Sequence, residues 1–218
     1  MAIDLNKYSF SQWVDFVFEH PIAQVGEKEW YWHDEWEHEA DNSLMLEYII
    51  RLFRNPTLLL DTYSPGQIEQ GFWFLLKPSG FLENGLKDAS AQWPLRKECI
   101  ISMGDLFERL FAINPLEDSA CYMWWDLVID GYFETAHTSW NPLIVNDKDA
   151  PVQQIIFETL CSILKLNSRE CQKSALHGLG HLNHPLTEQT IEAYLNEDPI
   201  VDGELKEYAI NCITGEIQ

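Results

Sequence analysis

The sequence predicts an all-α protein, with an α-α superhelix, or solenoid, of stacked helix pairs in its C-terminal third. Three observations lead to this fold class. Apolar residues recur at intervals of three and four along most of the chain, which is the period of one buried helix face. Helix-starting and helix-ending residues flank these runs, and no two strands joined by a hairpin turn are predicted. Two C-terminal segments also match at an offset of 34 residues.

The composition indicates a globular protein with a strongly acidic surface. Apolar residues form 46% and aromatic residues 13% of the 218-residue chain, which is enough to bury a substantial core. The 35 Asp and Glu residues outnumber the 14 Lys and Arg residues, so the formal net charge is −21. This charge keeps the protein soluble, attracts basic proteins and repels phosphate backbones and anionic membranes, so direct binding to nucleic acid is not expected.

The N-terminus and the cysteines indicate a cytoplasmic protein. The segment from Met1 to Tyr8 has no basic stretch followed by an apolar one, so neither a secretory signal nor a transit peptide is predicted. No window approaches the roughly 20 apolar residues that cross a bilayer, so no membrane association is expected. The five cysteines are odd in number and lack a CxxC pair, and we interpret them as reduced core thiols.

Helices with clear start signals are predicted in the N-terminal part. Ser9 and Ser64 each precede a Gln by three residues, which is the spacing of a capping box. Asp41 can cap another helix between them. The helices that follow Ser9 and Asp41 end before Pro21 and Pro56, because proline cannot continue a helix.

Two further amphipathic helices are predicted before residue 134. Each is marked by apolar residues three and four apart, which form one buried stripe. The stripes are Cys99, Met103, Leu106, Phe107 and Leu110 in the first helix, and Met123, Trp124, Leu127, Val128 and Gly131 in the second.

We predict a single all-α domain that spans residues 1–218. The polar, turn-rich segment 135–149 is the best candidate for an internal boundary, because it has little hydrophobic periodicity. A boundary there would separate a helical N-terminal part, 1–134, from repeat pairs in 150–218.

Four helices are predicted beyond Pro151, and two of them carry the internal match. The segments 168–179 and 202–213 both begin with a residue that can cap a helix and then align at the offset of 34 residues. Small Ala175 corresponds to Ala209, and both allow neighbouring helices to approach closely. An offset of this size equals one helix pair and is typical of stacked repeats.

The segment from Ala175 to Leu182, Ala-Leu-His-Gly-Leu-Gly-His-Leu, resembles the second helix of the short HEAT-like, armadillo-type repeats. The resemblance covers about 151–218. It implies a helical scaffold that binds other macromolecules through one helix face, since only a minority of such arrays are enzymes, and it names no chemistry. The N-terminal helices show no comparable offset, so they are either diverged repeats or a separate bundle.

Three histidines form a candidate metal site. His177, His181 and His184 recur at i, i+4 and i+7, so their rings lie on one side of a helix that continues to Pro185, nearly opposite to its core stripe. Imidazoles can bind zinc or iron, with Glu188 as a possible fourth ligand. The favoured alternative is packing or partner contact, because consecutive histidines on one helix rarely converge on one metal without a ligand from elsewhere.

Gly178 and Gly180 lie between these histidines. Each costs a helix roughly 1 kcal/mol relative to alanine. A close packing partner or a ligand is therefore predicted beside them.

The second candidate site is the acidic, aromatic segment 27–39, which we interpret as a loop or an irregular surface segment. Aromatic rings offer apolar area and cation–π contact, and carboxylates steer a basic partner towards them. The alternative is that the tryptophans fold back over the core while the acids are solvated. The candidate partner-binding residues are Trp30, Trp32, Trp36, Glu35, Glu37 and Glu39. A metal bound by His33, Glu37 and His38 is less favoured, because no HExxH pattern is present.

No catalytic motif supports a particular reaction. The chain has neither a GxSxG nucleophile motif nor a phosphate-binding Gly-rich loop. Asp126 and Asp130, with Glu134 one turn further, form a row of carboxylates that we expect to face water.

The leading hypothesis is a non-enzymatic protein-binding scaffold for a basic protein partner, of the inhibitor or immunity-protein type. It has no cofactor. One alternative is a metal-binding protein or metal-dependent enzyme that uses the histidines and zinc or iron. The other is a structural helical adaptor whose acidity serves solubility alone.

Overall fold

Helices form nearly all of the regular structure, which confirms the predicted all-α class. A computed structural model of the chain describes residues 2–33, 36–114, 120–133, 145–197 and 203–214. Among these residues, no helix has both the length and the apolarity that crossing a bilayer requires.

The described residues form a series of α-helices. In chain order they are α1 (Phe10–Phe18), α2 (Asn42–Arg54), α3 (Pro65–Leu76), α4 (Phe81–Lys87), α5 (Trp93–Leu106), α6 (Ala120–Phe133), α7 (Ala150–Ile163), α8 (Arg169–Leu182), α9 (Thr187–Glu197) and α10 (Gly203–Thr214). A π-helical turn, Phe107–Phe111, extends α5. The four helices predicted beyond Pro151 are confirmed as α7 to α10.

The predicted helix starts in the N-terminal part are confirmed. Ser9 and Ser64 form capping boxes at the beginning of α1 and α3. In each box the serine side chain accepts a hydrogen bond from the backbone N–H of the glutamine three residues later, and the glutamine side chain accepts one from the backbone N–H of the serine. The Asp41 carboxylate accepts a 2.9 Å hydrogen bond from the backbone N–H of Leu44 and caps α2. These side chains satisfy amide groups that the first turn of a helix leaves without partners.

Three features differ from the sequence prediction or were missed. α4 lies in a stretch where no helix was predicted. In α6 the neighbours Trp124 and Trp125 are both fully buried, whereas the predicted stripe included Trp124 and not Trp125. The helix is apolar on several sides, so its periodicity is a poor guide. A short parallel pair, β1 (Ile3–Asp4) and β2 (His38–Glu39), ties the segment 27–39 to the N-terminus.

α8 is the central helix of the C-terminal part. It packs against α6, α7 and α10, while α5 packs against both α2 and α7. The buried apolar residues between Leu5 and Cys212 form one cluster that includes residues from both sides of the candidate boundary. Most of that candidate boundary, 135–149, lies outside the described residues, which resume at residue 145.

The two matched C-terminal segments share part of their buried pattern. Ala175 and Ala209 are both fully buried. The match is weaker one residue later, because Leu176 is fully buried whereas Ile210 is 45% exposed. α10 therefore buries a narrower face than α8. Asp202, the expected cap of the second segment, lies outside the described residues.

Gly178 permits the close contact between α8 and α6. A Cβ atom on Gly178 would lie 2.6 Å from Cβ of Trp125 and 2.8 Å from Cδ2 of Leu160. Cβ of Trp125 is fixed to the backbone of α6, so the contact cannot be relieved by a rotamer change alone. The predicted packing partner of Gly178 is therefore Trp125.

We expect Gly178→Ala to destabilise the protein by about 2 kcal/mol or more, because the added methyl forces α6 and α8 apart. Urea unfolding measures this change as a lower midpoint. Gly104→Ala is the matched control. Its Cβ would lie 3.6 Å from its nearest neighbours, so helix propensity should make that variant neutral or slightly more stable. Equal stability of the two variants would contradict this packing.

Candidate functional site

The helix that carries the histidines ends before the third of them, contrary to expectation. α8 stops at Leu182, and Asn183 adopts a left-handed conformation with φ of 44°. His184 therefore lies outside the helix, where its ring stacks on Phe157 with centroids 4.0 Å apart and its Nε2 contacts Gln154 Oε1 at 3.2 Å. The three rings do not form one stripe.

His177 is buried, which corrects the expectation that its face of the helix is open. It is 3% exposed because α6 and α10 cover the side of α8 opposite to the stripe that we predicted. Its Nδ1 lies 2.7 Å from the hydroxyl of Tyr208 on α10, and its ring lies 4.6 Å from that of Tyr122 on α6.

We expected Asp126 to face water, but on α6 it faces the same histidines. Asp126 is 5% exposed, and its Oδ1 lies 3.4 Å from Nε2 of His181. One ligand atom from each of Asp126, His177 and His181 lies within 4.8 Å of the others. The cluster thus joins α6 to α8, whereas Glu188 is exposed on α9. Glu134 lies outside the described residues.

The buried environment keeps His177 neutral at pH 7. Burial is the main cause that lowers the pKa of His177 to about 3, and electrostatic repulsion from His181 and Lys173 adds to it. A neutral imidazole is the form that binds a metal ion.

Among the tryptophans of the segment 27–39, Trp30 belongs to the core. It is 6% exposed and stacks on His20 with ring centroids 3.5 Å apart. Trp36 is half-buried and meets the same His20 ring edge-on at 4.5 Å. The interpretation of these rings as a cover over the helical core therefore describes Trp30 well and Trp36 in part.

Trp32, Trp36 and Glu37 line one surface groove of about 500 Å³. Trp32 is 44% exposed, and Glu37 is exposed as well. Glu39 is exposed on β2, outside the lining of the groove, and Glu35 lies outside the described residues. Three of the six candidate partner-binding residues thus line the groove.

Lys77, at the end of α3, also lines the groove and was not foreseen from the sequence. Its Nζ lies 4.9 Å from the ring centroid of Phe74 and 6.0 Å from that of Trp32, and it donates to the backbone carbonyl of Tyr31 at 3.5 Å. Burial lowers the pKa of Lys77. The aromatic wall therefore already contacts one ammonium group from this chain.

The alternative metal site in this segment is not assembled. His33 Nε2 contacts the carbonyl of Lys28 at 3.2 Å, and His38 Nδ1 contacts the carbonyl of Trp36 at 3.0 Å. Within the described part of the chain, Asp126, His177 and His181 are the group whose ligand atoms come together.

Comparisons of the chain with known protein families, with curated proteins and with solved structures found no match. The resemblance to HEAT-like repeats stays a prediction. Within the described residues, we infer a function from the groove and from the Asp126 cluster.

We expect the stability of the protein to fall as the pH is lowered from 6.5. Unfolded His177 takes up a proton near its ordinary pKa of about 6.5, whereas the folded residue does so only near 3. Between these values the unfolded state binds more protons, so His177 costs the fold up to about 1.4 kcal/mol per pH unit. Burial lowers the pKa of His20 and His38 as well, with the same sign.

Urea unfolding at a series of pH values in metal-free buffer checks this dependence. His177→Gln should lose less stability than the wild type between pH 7 and pH 5. The same loss in both proteins would show that His177 titrates normally in the fold.

Proposed function

We propose that this protein is a non-enzymatic binding protein that takes a basic segment of a partner protein into the groove lined by Trp32, Trp36 and Glu37. One observation carries the proposal. The groove combines an exposed tryptophan face with a wall that already holds an ammonium group, that of Lys77. Such a surface suits a lysine or arginine side chain from outside.

The long-range electrostatics support the same class of partner. The net charge of −21 draws basic proteins towards the surface and raises their association rate. Glu37 at the groove and Glu39 beside it on β2 are exposed, so they add local attraction where the aromatic rings supply contact area. Salt should weaken the interaction, because it screens exposed charges.

Lys77 sets a limit on how the partner binds. Its ammonium group lies near one side of Trp32, so an incoming cation would use the exposed part of that ring. An arginine suits this position best, since a planar guanidinium stacks on an aromatic face.

The proposal includes a HEAT-like scaffold for the C-terminal third. α7 packs on α8, α9 packs on α10, and α8 joins the two pairs through α10, which is the neighbour pattern that stacked pairs require. A rigid helical scaffold with a strongly acidic surface suits an inhibitor of a basic enzyme, as in immunity proteins. If the groove binds no basic segment, a structural helical adaptor remains.

An arginine-rich peptide tests the groove directly. We expect the full chain to bind it more tightly than a peptide of equal length with Gln in place of Arg, and the binding to weaken with salt. Trp32→Ala should reduce the affinity about tenfold, or about 1.4 kcal/mol, because it removes the exposed ring. Isothermal titration calorimetry measures each affinity.

Two control variants, Ile113→Ala and Glu192→Gln, separate binding in the groove from general surface effects. Ile113→Ala removes a 65% exposed apolar side chain elsewhere and should leave the affinity unchanged. Glu37→Gln and Glu192→Gln each remove one exposed charge, so a larger loss with Glu37→Gln locates the binding. Equal affinities for the wild type and Trp32→Ala would refute the proposal.

A further inference from the structure

We propose that Asp126, His177 and His181 bind a zinc ion between α6 and α8. The site is separate from the groove and does not depend on the function proposed for it. Its ligands come from two helices, which meets the objection that histidines along one helix rarely converge on one metal without a ligand from elsewhere.

The distances between the ligand atoms fit a small tetrahedral ion. Bonds of about 2.0–2.1 Å at a tetrahedral angle place two ligand atoms about 3.4 Å apart. His181 Nε2 and Asp126 Oδ1 are 3.4 Å apart. One ligand atom from each of the three residues lies within 4.8 Å of the other two, so no pair needs to close by more than about 1.4 Å.

His177 has a buried nitrogen that a metal would satisfy. Its Nε2 is buried and has no hydrogen-bond partner among the described residues, while its Nδ1 is engaged by Tyr208. Leaving a buried polar group without a partner costs about 1–3 kcal/mol. A bond from Nε2 to zinc would remove this cost. The buried nitrogen without a partner therefore indicates a ligand, and this indication does not depend on the distances between the ligand atoms.

The hydroxyl groups behind His177 can hold it in the form that binds metal. A lone pair on Nε2 requires the proton on Nδ1, which then donates to the hydroxyl oxygen of Tyr208 at 2.7 Å. The Tyr208 hydroxyl lies 2.9 Å from that of Tyr122 and can donate its own proton there. This arrangement gives His177 the supporting contact that zinc-binding histidines normally have.

The degree of burial favours zinc over iron. A site with two histidines and one carboxylate suits either metal, but iron in such sites keeps further open positions for ligands. Here His177 and Asp126 are almost fully buried, and His181 has 27% of its side chain exposed to solvent. Four-coordinate zinc, with water in the fourth position, fits this space.

Zinc titration of the full, untagged chain tests the site. After dialysis against EDTA, we expect calorimetry to show one equivalent of zinc bound and thermal unfolding to shift upward with added zinc. His181→Ala should weaken binding by more than about 100-fold, because loss of residues that only support a ligand already costs 10- to 100-fold. His181 is partly exposed, so the variant should fold, and circular dichroism checks this.

His184→Ala is the matched control, since it removes a nearby histidine that is not in the cluster, and it should bind zinc like the wild type. Asp126→Asn, which keeps the side-chain shape, should weaken binding as His181→Ala does. Each of three results would overturn the proposal: no zinc bound by the wild type, zinc bound equally by His181→Ala, or stoichiometric iron in the purified protein with no affinity for zinc.

Discussion

The close contact between α6 and α8 is the constraint on which the C-terminal half depends. Gly178 lacks a side chain where Trp125 passes, and one turn earlier the hydroxyl of Ser174 donates to the backbone carbonyl of Cys121 at 2.6 Å. These contacts fix both the separation and the register of the two helices. The same register brings Asp126 opposite His181, so the packing and the candidate metal site have one cause.

The N-terminal half has a different organising principle, which is a layer of aromatic rings. Phe16, His20, Trp30, Trp36 and Phe74 contact one another through edge-to-face, tilted and stacked arrangements. Aromatic pairs of this kind add about 0.5–1.5 kcal/mol beyond the burial of their area. The layer holds the irregular segment 27–39 on the helices and leaves Trp32 at the surface. The groove is therefore supported by packed side chains, and a preformed site loses less conformational entropy when a partner binds.

Local signals made the helix starts predictable, whereas the sites depend on contacts between distant segments. Ser9, Asp41 and Ser64 reveal their helices because a cap bonds to amides within three residues. Asp126 looks like part of a solvated carboxylate row, and only the position of α8 shows that it is buried. Lys77 has no neighbouring motif that links it to the tryptophans. The end of α8 before His184 likewise depends on the left-handed Asn183. The i, i+4, i+7 spacing of the histidines gives no sign of this helix end.

A two-dimensional NMR titration tests the central claim, a groove for basic segments, most directly. The nine tryptophans each contribute one indole N–H signal, so binding of an arginine-rich peptide can be located without altering the protein. We expect the signals of Trp32 and Trp36 to shift, those of buried Trp124 and Trp125 to stay unchanged, and salt to reverse the effect. Shifts confined to other tryptophans, or none at saturating peptide, would contradict it.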